Sequence, residues 1–423
     1  MIARHSAAVC KRSGRPLDEM AATLGADYFL EGSVRRVGDR VRVSVQLIRA
    51  ADQTHLWADT YDRSCSDVLT MEAEVGRRVA ESLAVGLQPS AQRNPRNVLP
   101  IDAEVYDCYL KGRFLFGRWS PDSLEMAVNL FQEAIDRAPH FAPPFSGLAD
   151  SCSMLGFFDL VRPRDVYPRA LRAAARAVEL DDESAEAHAS LAWVMCCYQW
   201  DWDGAGREFA RAIALNANYV QAHAWRAFLL TITGRMEEAL DSIRWARRLD
   251  PLSVMVNTDE ACFLYFARKY DEAIAQCHRT IALNPAFGLP YHKLGLCYLG
   301  LRQAQPAIAA FEQATSLWEG HPIPLASLAQ ALAIAGKTQR ARDILTQLEQ
   351  RATTAYVSPL HLSFVYLALG DVDRGLMLMD QACDERESRL PFVRVAPGLE
   401  PLAGDPRFRK ILARIGLPPA DEH

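Results

Sequence analysis

The chain has 423 residues, of which 50% are hydrophobic and 23% are charged, and its formal net charge is -5 at pH 7. This composition is typical of a globular protein, and no stretch approaches the ~18 consecutive apolar residues that a membrane helix needs. Because there is no overall positive field, counterion release from nucleic acid cannot be the main force of binding. Neither nucleic acid nor a membrane is therefore expected as a partner.

Residues 1–88 are predicted to form a small α/β unit. Tyr28 to Val37 and Arg40 to Arg49 alternate in polarity as strands do, and Gly38-Asp39 between them is a tight-turn pair. The two segments therefore predict a β-hairpin. The other predicted elements are a helix from Pro16 to Leu24, a third strand from His55 to Tyr61 and an amphipathic helix from Ser66 to Leu87.

A linker is predicted after this unit, over residues 89–103. The stretch from Gln88 to Asn97 is polar, contains two prolines and has no hydrophobic periodicity. It separates the α/β unit from the remainder of the chain.

A repeat begins beyond the linker, and its clearest copy runs from Leu289 to Glu319. Its first half has the order large, Leu, small, Tyr, and its second half has Ala, Phe, Ala, which is the tetratricopeptide pattern of about 34 residues. Small residues let the two helices of a hairpin approach closely, while aromatic residues fill the gap to the next hairpin. The matching residues are Tyr291, Leu294, Gly295, Tyr298, Ala307, Phe311 and Ala314.

The same spacing recurs on both sides of this copy. The second-helix positions recur as Ala273 and Cys277, as Ala205 and Phe209, and more weakly as Ala341, and about eight hairpins result. The sequence thus predicts a mainly α fold, a tetratricopeptide α-solenoid over residues 104–404, preceded by an incomplete α/β module. Residues 405–423 are predicted to end the array with a capping helix whose apolar face consists of Phe408, Ile411, Leu412 and Ile415.

The N-terminal segments resemble a known bacterial module. Tyr28 to Arg36, Arg40 to Ile48 and His55 to Arg63 (YFLEGSVRR, RVRVSVQLI and HLWADTYDR) resemble the TolB-amino-terminal-like α/β module. In that family the module lies between a tetratricopeptide array and an N-terminal effector, commonly a class III adenylate or guanylate cyclase, a winged-helix regulator domain or a protein kinase. The resemblance implies that this effector and the opening strand and helix of the module are missing before Met1. A truncated or degenerate start is expected, in preference to a stand-alone sensor remnant.

Residues for catalysis are not evident. Phosphate-binding, acyl-transfer and zinc-protease motifs are absent from the sequence, so no enzyme activity, cofactor or metal is expected. His188 and His223 occupy equivalent positions of consecutive repeats, which repeat packing explains without a metal. Asp201 is expected to cap the helix that follows it. The ten cysteines include no CxxC pair, which favours a reducing compartment, and the cytoplasm is predicted.

The predicted function is to bind a protein or peptide segment in the concave groove of the array, with self-association left open. A wall with few cations suits an apolar segment, although some of its side chains could instead pack between helices. The alternative is that the chain is the regulatory C-terminal part of a nucleotide cyclase or of a winged-helix transcription regulator. The predicted groove residues are Trp193, Phe228, Tyr265, His292, Leu296, Leu299 and Gln330.

Overall fold

The computed structural model describes residues 2–38, 40–64, 68–83 and 102–418. Residues 89–101 of the predicted linker therefore lie outside the described residues, as do Asp39 of the predicted turn and both ends of the helix predicted from Ser66 to Leu87. Within the described part, 20 α-helices and three strands form a small N-terminal sheet unit and a long helical array.

The N-terminal sheet is antiparallel and has the order β1-β2-β3. Strands β1 (Tyr28–Val37) and β2 (Arg40–Arg49) pair from Tyr28 opposite Arg49 to Val37 opposite Arg40, which confirms the predicted hairpin. Strand β3 (His55–Ser64) pairs with β2 and extends three residues beyond its predicted end.

Three helices accompany the sheet: α1 (Arg4–Ser13), α2 (Leu17–Leu24) and α3 (Val68–Ser82). Met71 and Val75 of α3 cover Val45 and Tyr61, so the apolar face is buried at β2 and β3. Strand β1 is one edge of the sheet, and the side chains on both of its faces are mostly exposed.

Helix α1 was not predicted, because its ten residues carry no clear apolar stripe. Its N-terminus contacts the helical array: the Ala3 amide donates to the Leu249 carbonyl at 2.6 Å. The Ser6 hydroxyl donates to the Asp250 carboxylate and accepts from the Leu252 amide at 2.8 Å. The start of the chain is thus fastened to a turn in the middle of the array.

The array consists of eight antiparallel helical hairpins, as predicted. They are α4 (Ala103–Phe116) with α5 (Pro121–Arg137), α6 (Pro143–Phe157) with α7 (Pro163–Leu180), α8 (Ala185–Val194) with α9 (Trp202–Leu215), α10 (Val220–Ile232) with α11 (Met236–Leu249), α12 (Val254–Phe266) with α13 (Tyr270–Leu283), α14 (Leu289–Gly300) with α15 (Ala304–Leu317), α16 (Pro322–Ile334) with α17 (Thr338–Ala352), and α18 (Pro359–Ala368) with α19 (Val372–Asp384).

Small residues and aromatic rings interlock where the two helices of a hairpin meet. The Phe311 ring of α15 lies so close to Gly295 of α14 that a Cβ there would be 2.5 Å from the ring. Phe131 of α5 fills the same kind of space against Gly112 and Gly147. A larger side chain at these positions would prevent the approach, which is why small residues recur with the period of the repeat.

The end of the array turns back across its concave side. Residues 385–404, here called the return segment, contain two short 3-10 turns, Leu390–Arg394 and Glu400–Leu402. Helix α20 (Pro406–Arg414) follows, and the four apolar residues predicted for the cap, three in this helix and Ile415 directly after it, are all buried. The Trp202 indole N–H donates to the Ile415 carbonyl at 3.0 Å, so this capping helix also contacts the third hairpin.

Among the described helices, none is both long and apolar enough to cross a membrane. Eight of the nine cysteines within the described residues are buried, and Cys108 is half-buried.

Candidate functional site

The concave side of the array contains a cavity of about 630 Å³. First helices of the hairpins, from α6 to α18, form its wall, and the return segment covers part of its opening. All seven residues predicted for the groove line this one cavity: Trp193, Phe228, Tyr265, His292, Leu296, Leu299 and Gln330.

The aromatic members of this set belong to a packed cluster. Trp193 is 1% exposed and stacks on Trp225 with ring centroids 5.3 Å apart, while Phe157 and Phe228 lie against its other sides. Tyr265 is also buried. These rings are therefore part of the core as well as of the cavity wall. The half-buried Leu296, Leu299 and Gln330 are the more accessible members of the set.

The return segment places one aromatic side chain, that of Phe392, in the groove. The Phe392 ring stacks on Phe266, with centroids 4.9 Å apart and planes at 14°, and meets Phe228 edge to face at 5.7 Å. The Arg394 guanidinium donates to the Ile232 carbonyl at 3.1 Å. Nothing in the repeat pattern predicts this placement, because residues 385–404 lack the helical spacing of the hairpins.

Polar side chains are more frequent in the cavity than predicted. Burial raises the pKa of Asp259 on α12 to about 7, and the nearby Lys293 ammonium opposes this effect. Burial holds the pKa of His292 well below its usual value, so this imidazole is neutral near pH 7, and its Nε2 lies 2.9 Å from the Ser327 hydroxyl. Four cationic side chains line the cavity: Arg268, Lys293, Arg302 and Arg389. Arg268 and Arg302 lie in the turns after α12 and α14, and Arg389 lies in the return segment, outside the helical spacing of the repeat, whereas Lys293 lies within α14.

A second polar group lies beside the cavity, where the eighth hairpin meets the second. Asp159 follows α6, His361 belongs to α18 and Glu387 begins the return segment, and their ligating atoms all lie within 4.8 Å of one another. The Asp159 carboxylate and the His361 Nε2 are 2.7 Å apart. All three residues are buried. No sequence signal points to this group, because its members are brought together only by the curvature of the array.

The two histidines that stood out in the sequence have structural contacts. His188 Nε2 lies 2.8 Å from the Asp182 carbonyl and its Nδ1 lies 2.5 Å from Glu208. His223 Nε2 lies 2.9 Å from the Ala217 carbonyl, so each ring contacts the carbonyl six residues before it. The two histidines make the same contact because consecutive repeats pack in the same way. Asp201 accepts from the Gly204 amide at 2.9 Å and caps α9, as expected.

Comparison with known proteins agrees with this repeat architecture. Residues 290–317, which form nearly all of α14 and α15, match the tetratricopeptide repeat family. The tetratricopeptide character of the array rests on this match and on the geometry of its hairpins.

Two curated relatives are similar over longer stretches. A Rhizobium meliloti (strain 1021) protein that bears the name adenylate cyclase 3 is 27% identical over 197 residues, which are 45% of this chain and 33% of that protein. The transcriptional regulator HilA of Salmonella typhimurium is 21% identical over 399 residues, which are 92% of this chain and 64% of the regulator. The chain thus spans less than two thirds of the length of either relative.

Two solved structures are similar to the array. The Cut9 and Hcn1 assembly of the APC/C has a TM-score of 0.49 at 15% identity, over 80% of this chain and 58% of that one. Yeast Tom70 has a TM-score of 0.46 at 18% identity, over 75% of this chain and 69% of that one.

Proposed function

We propose that this chain is a non-catalytic interaction module of a bacterial signalling or regulatory protein, and that it binds a protein segment in the concave groove of its repeat array. The cavity is concave, mostly apolar and lined by a few polar groups, which is the usual character of a binding site. Tetratricopeptide arrays use such concave surfaces for binding.

The main support for this proposal is the position of the Phe392 ring in the groove. An irregular, non-α-helical segment of the chain itself already lies in the groove and inserts one aromatic ring between Phe228 and Phe266. The wall beyond it, from Leu296 to Gln330, faces open cavity space. A partner segment with an apolar or aromatic side chain would find the same kind of surface there.

A pulldown with two matched variants tests the proposal. Leu299→Glu places a charge on the accessible part of the groove, whereas Leu283→Glu places the same charge on an exposed leucine of α13 outside the cavity. We expect a partner retained by the wild type and by Leu283→Glu to be reduced tenfold or more with Leu299→Glu. Equal retention by the two variants would count against the groove. Trp193 and Phe228 are poor choices for this test because they are packed in the core.

The alternative is that the chain is the regulatory C-terminal part of a nucleotide cyclase or of a winged-helix transcription regulator. Its similarity to a protein named as an adenylate cyclase and to a transcriptional regulator favours this reading. Nucleotide sequence upstream of Met1 that continues in frame into a cyclase or DNA-binding domain would support it, and a stop codon directly upstream in the native gene would exclude it.

A further inference from the structure

We propose that Asp159, His361 and Glu387 form a binding site for a divalent transition-metal ion, which fastens the eighth hairpin and the return segment to the second hairpin. The three side chains come from separate elements and converge within 4.8 Å. They offer one imidazole nitrogen and two carboxylate oxygens.

Two of the converging oxygens lack partners. Asp159 Oδ1 and Glu387 Oε1 are buried, and neither has a hydrogen-bond partner among the described residues. The other oxygen of each group is engaged, since Asp159 Oδ2 contacts His361 Nε2 and Glu387 Oε2 accepts from the Arg389 amide at 2.8 Å. Buried polar atoms without partners are rare in folded proteins, and such atoms usually bind a proton, a water or an ion.

Charge also favours a cation at this place. Two carboxylates buried against each other repel unless a proton or a metal ion lies between them.

The surroundings add one fixed positive charge, that of Arg389. Its guanidinium lies over the Phe157 ring at 4.9 Å, where the ring face stabilises it. Burial lowers the pKa of the adjacent His321 to about 4, so this imidazole is neutral near pH 7 and adds no repulsion.

The ligand set indicates which ion fits. Imidazole together with carboxylate is a common donor set for Zn²⁺, at ~2.0–2.2 Å from each atom, with an open position for water. Purely oxygen sites, by contrast, suit Mg²⁺ and Ca²⁺. Zn²⁺ is therefore the probe of choice, with Co²⁺ as its spectroscopic substitute.

Isothermal titration of the full chain, freed of metal by EDTA, with ZnCl2 tests the site. We expect one equivalent to bind, and Glu387→Gln and His361→Gln each to weaken binding tenfold or more. The matched control is His188→Gln, which removes a histidine that pairs with a single carboxylate, Glu208. Its affinity should equal that of the wild type.

Two results would overturn the proposal. One is a wild-type chain that binds neither Zn²⁺ nor Co²⁺ at micromolar concentration, and this measurement requires no variant to fold. The other is equal zinc affinity in Glu387→Gln and His188→Gln. As a second readout, zinc should slow amide hydrogen exchange in residues 385–404 of the wild type, and unchanged exchange would contradict the fastening role.

Discussion

The repeat array and the N-terminal sheet bury their side chains in different ways. In the array, each hairpin covers the next, and residues such as Phe131, Phe209 and Phe311 are fully buried. In the sheet, α3 covers β2 and β3, while Val34 on the edge strand β1 is 72% exposed. A repeated unit obtains its cover from its neighbours, whereas a three-stranded sheet must obtain it from a separate element.

The two regions also treat charge differently. In the array, Asp150 of α6 is 1% exposed, 4.0 Å from the Arg113 guanidinium of α4. In the sheet, Arg40 and Arg42 share the partly exposed Asp62 on the surface. Surface ion pairs contribute little to stability, while a buried carboxylate makes stability depend on pH. The contrast can be tested residue by residue.

The largest effect is expected from Phe311→Ala in the array. The substitution removes a fully buried ring that fills the space above Gly295, and should cost ~3–5 kcal/mol of unfolding free energy. Urea denaturation measures the loss, and amide exchange in α14 and α15 locates it. A loss below ~1 kcal/mol would mean that the hairpin collapses around the missing ring, and that the contact between Phe311 and Gly295 contributes little to stability.

A pH-dependent effect of a few kcal/mol is expected at Asp150. Burial raises its pKa to about 7, and the Arg113 charge opposes the effect only in part. Because the folded state holds this proton more tightly than the unfolded chain, Asp150 favours folding at low pH, and this contribution falls as pH rises from about 4 to 7.

The substitution Asp150→Asn isolates this effect. Across that pH range, the wild type should lose ~2–4 kcal/mol relative to the variant, which has no carboxyl group to titrate there. Chemical denaturation of both proteins at several pH values gives the difference. Parallel pH profiles would show that Asp150 is solvated in solution.

Two helical glycines should respond to alanine with opposite signs. At Gly295 the added Cβ would lie 2.5 Å from the Phe311 ring, so Gly295→Ala should destabilise the chain by ~1–3 kcal/mol. At Gly206 of α9 the nearest atom is 3.8 Å away, so Gly206→Ala should stabilise it by ~0.5–1 kcal/mol through helix propensity. Thermal melts of both variants measure these changes in stability. Destabilisation of similar size at both sites would show that the space around each glycine does not determine the effect of the added Cβ.

These glycines also show what could be predicted from the sequence. The pairing of Gly295 with Phe311 is local and periodic, so the eight hairpins followed from their spacing alone. The β-hairpin followed in the same way from its alternating residues. All seven predicted groove residues line the cavity because the repeat register fixes which side of a first helix faces inward.

Features that depend on the curvature of the whole array could not be predicted. Phe392 reaches Phe228 of the fourth hairpin, and Glu387 reaches Asp159 beside the second, only because the curvature of the array brings its end back towards these hairpins. The same holds for α1, whose Ser6 contacts Asp250 across 244 positions of sequence. A short polar helix that is stabilised by such a distant contact carries no periodic signal of its own.

The smallest effect is expected at the edge of the sheet, from the same substitution at two valines. Val45→Thr places a hydroxyl in the core beneath α3, at a position 7% exposed, and should cost ~1–3 kcal/mol. Val34→Thr keeps the strand propensity of an exposed side chain and should change stability by less than ~0.5 kcal/mol. Amide exchange of β2 measures both changes.

If the two variants lose equal stability, Val34 on β1 is covered in solution. A loss at Val34 that grows with protein concentration would identify the cover as a second copy of the chain, since an unpaired strand edge is a site where another strand can add.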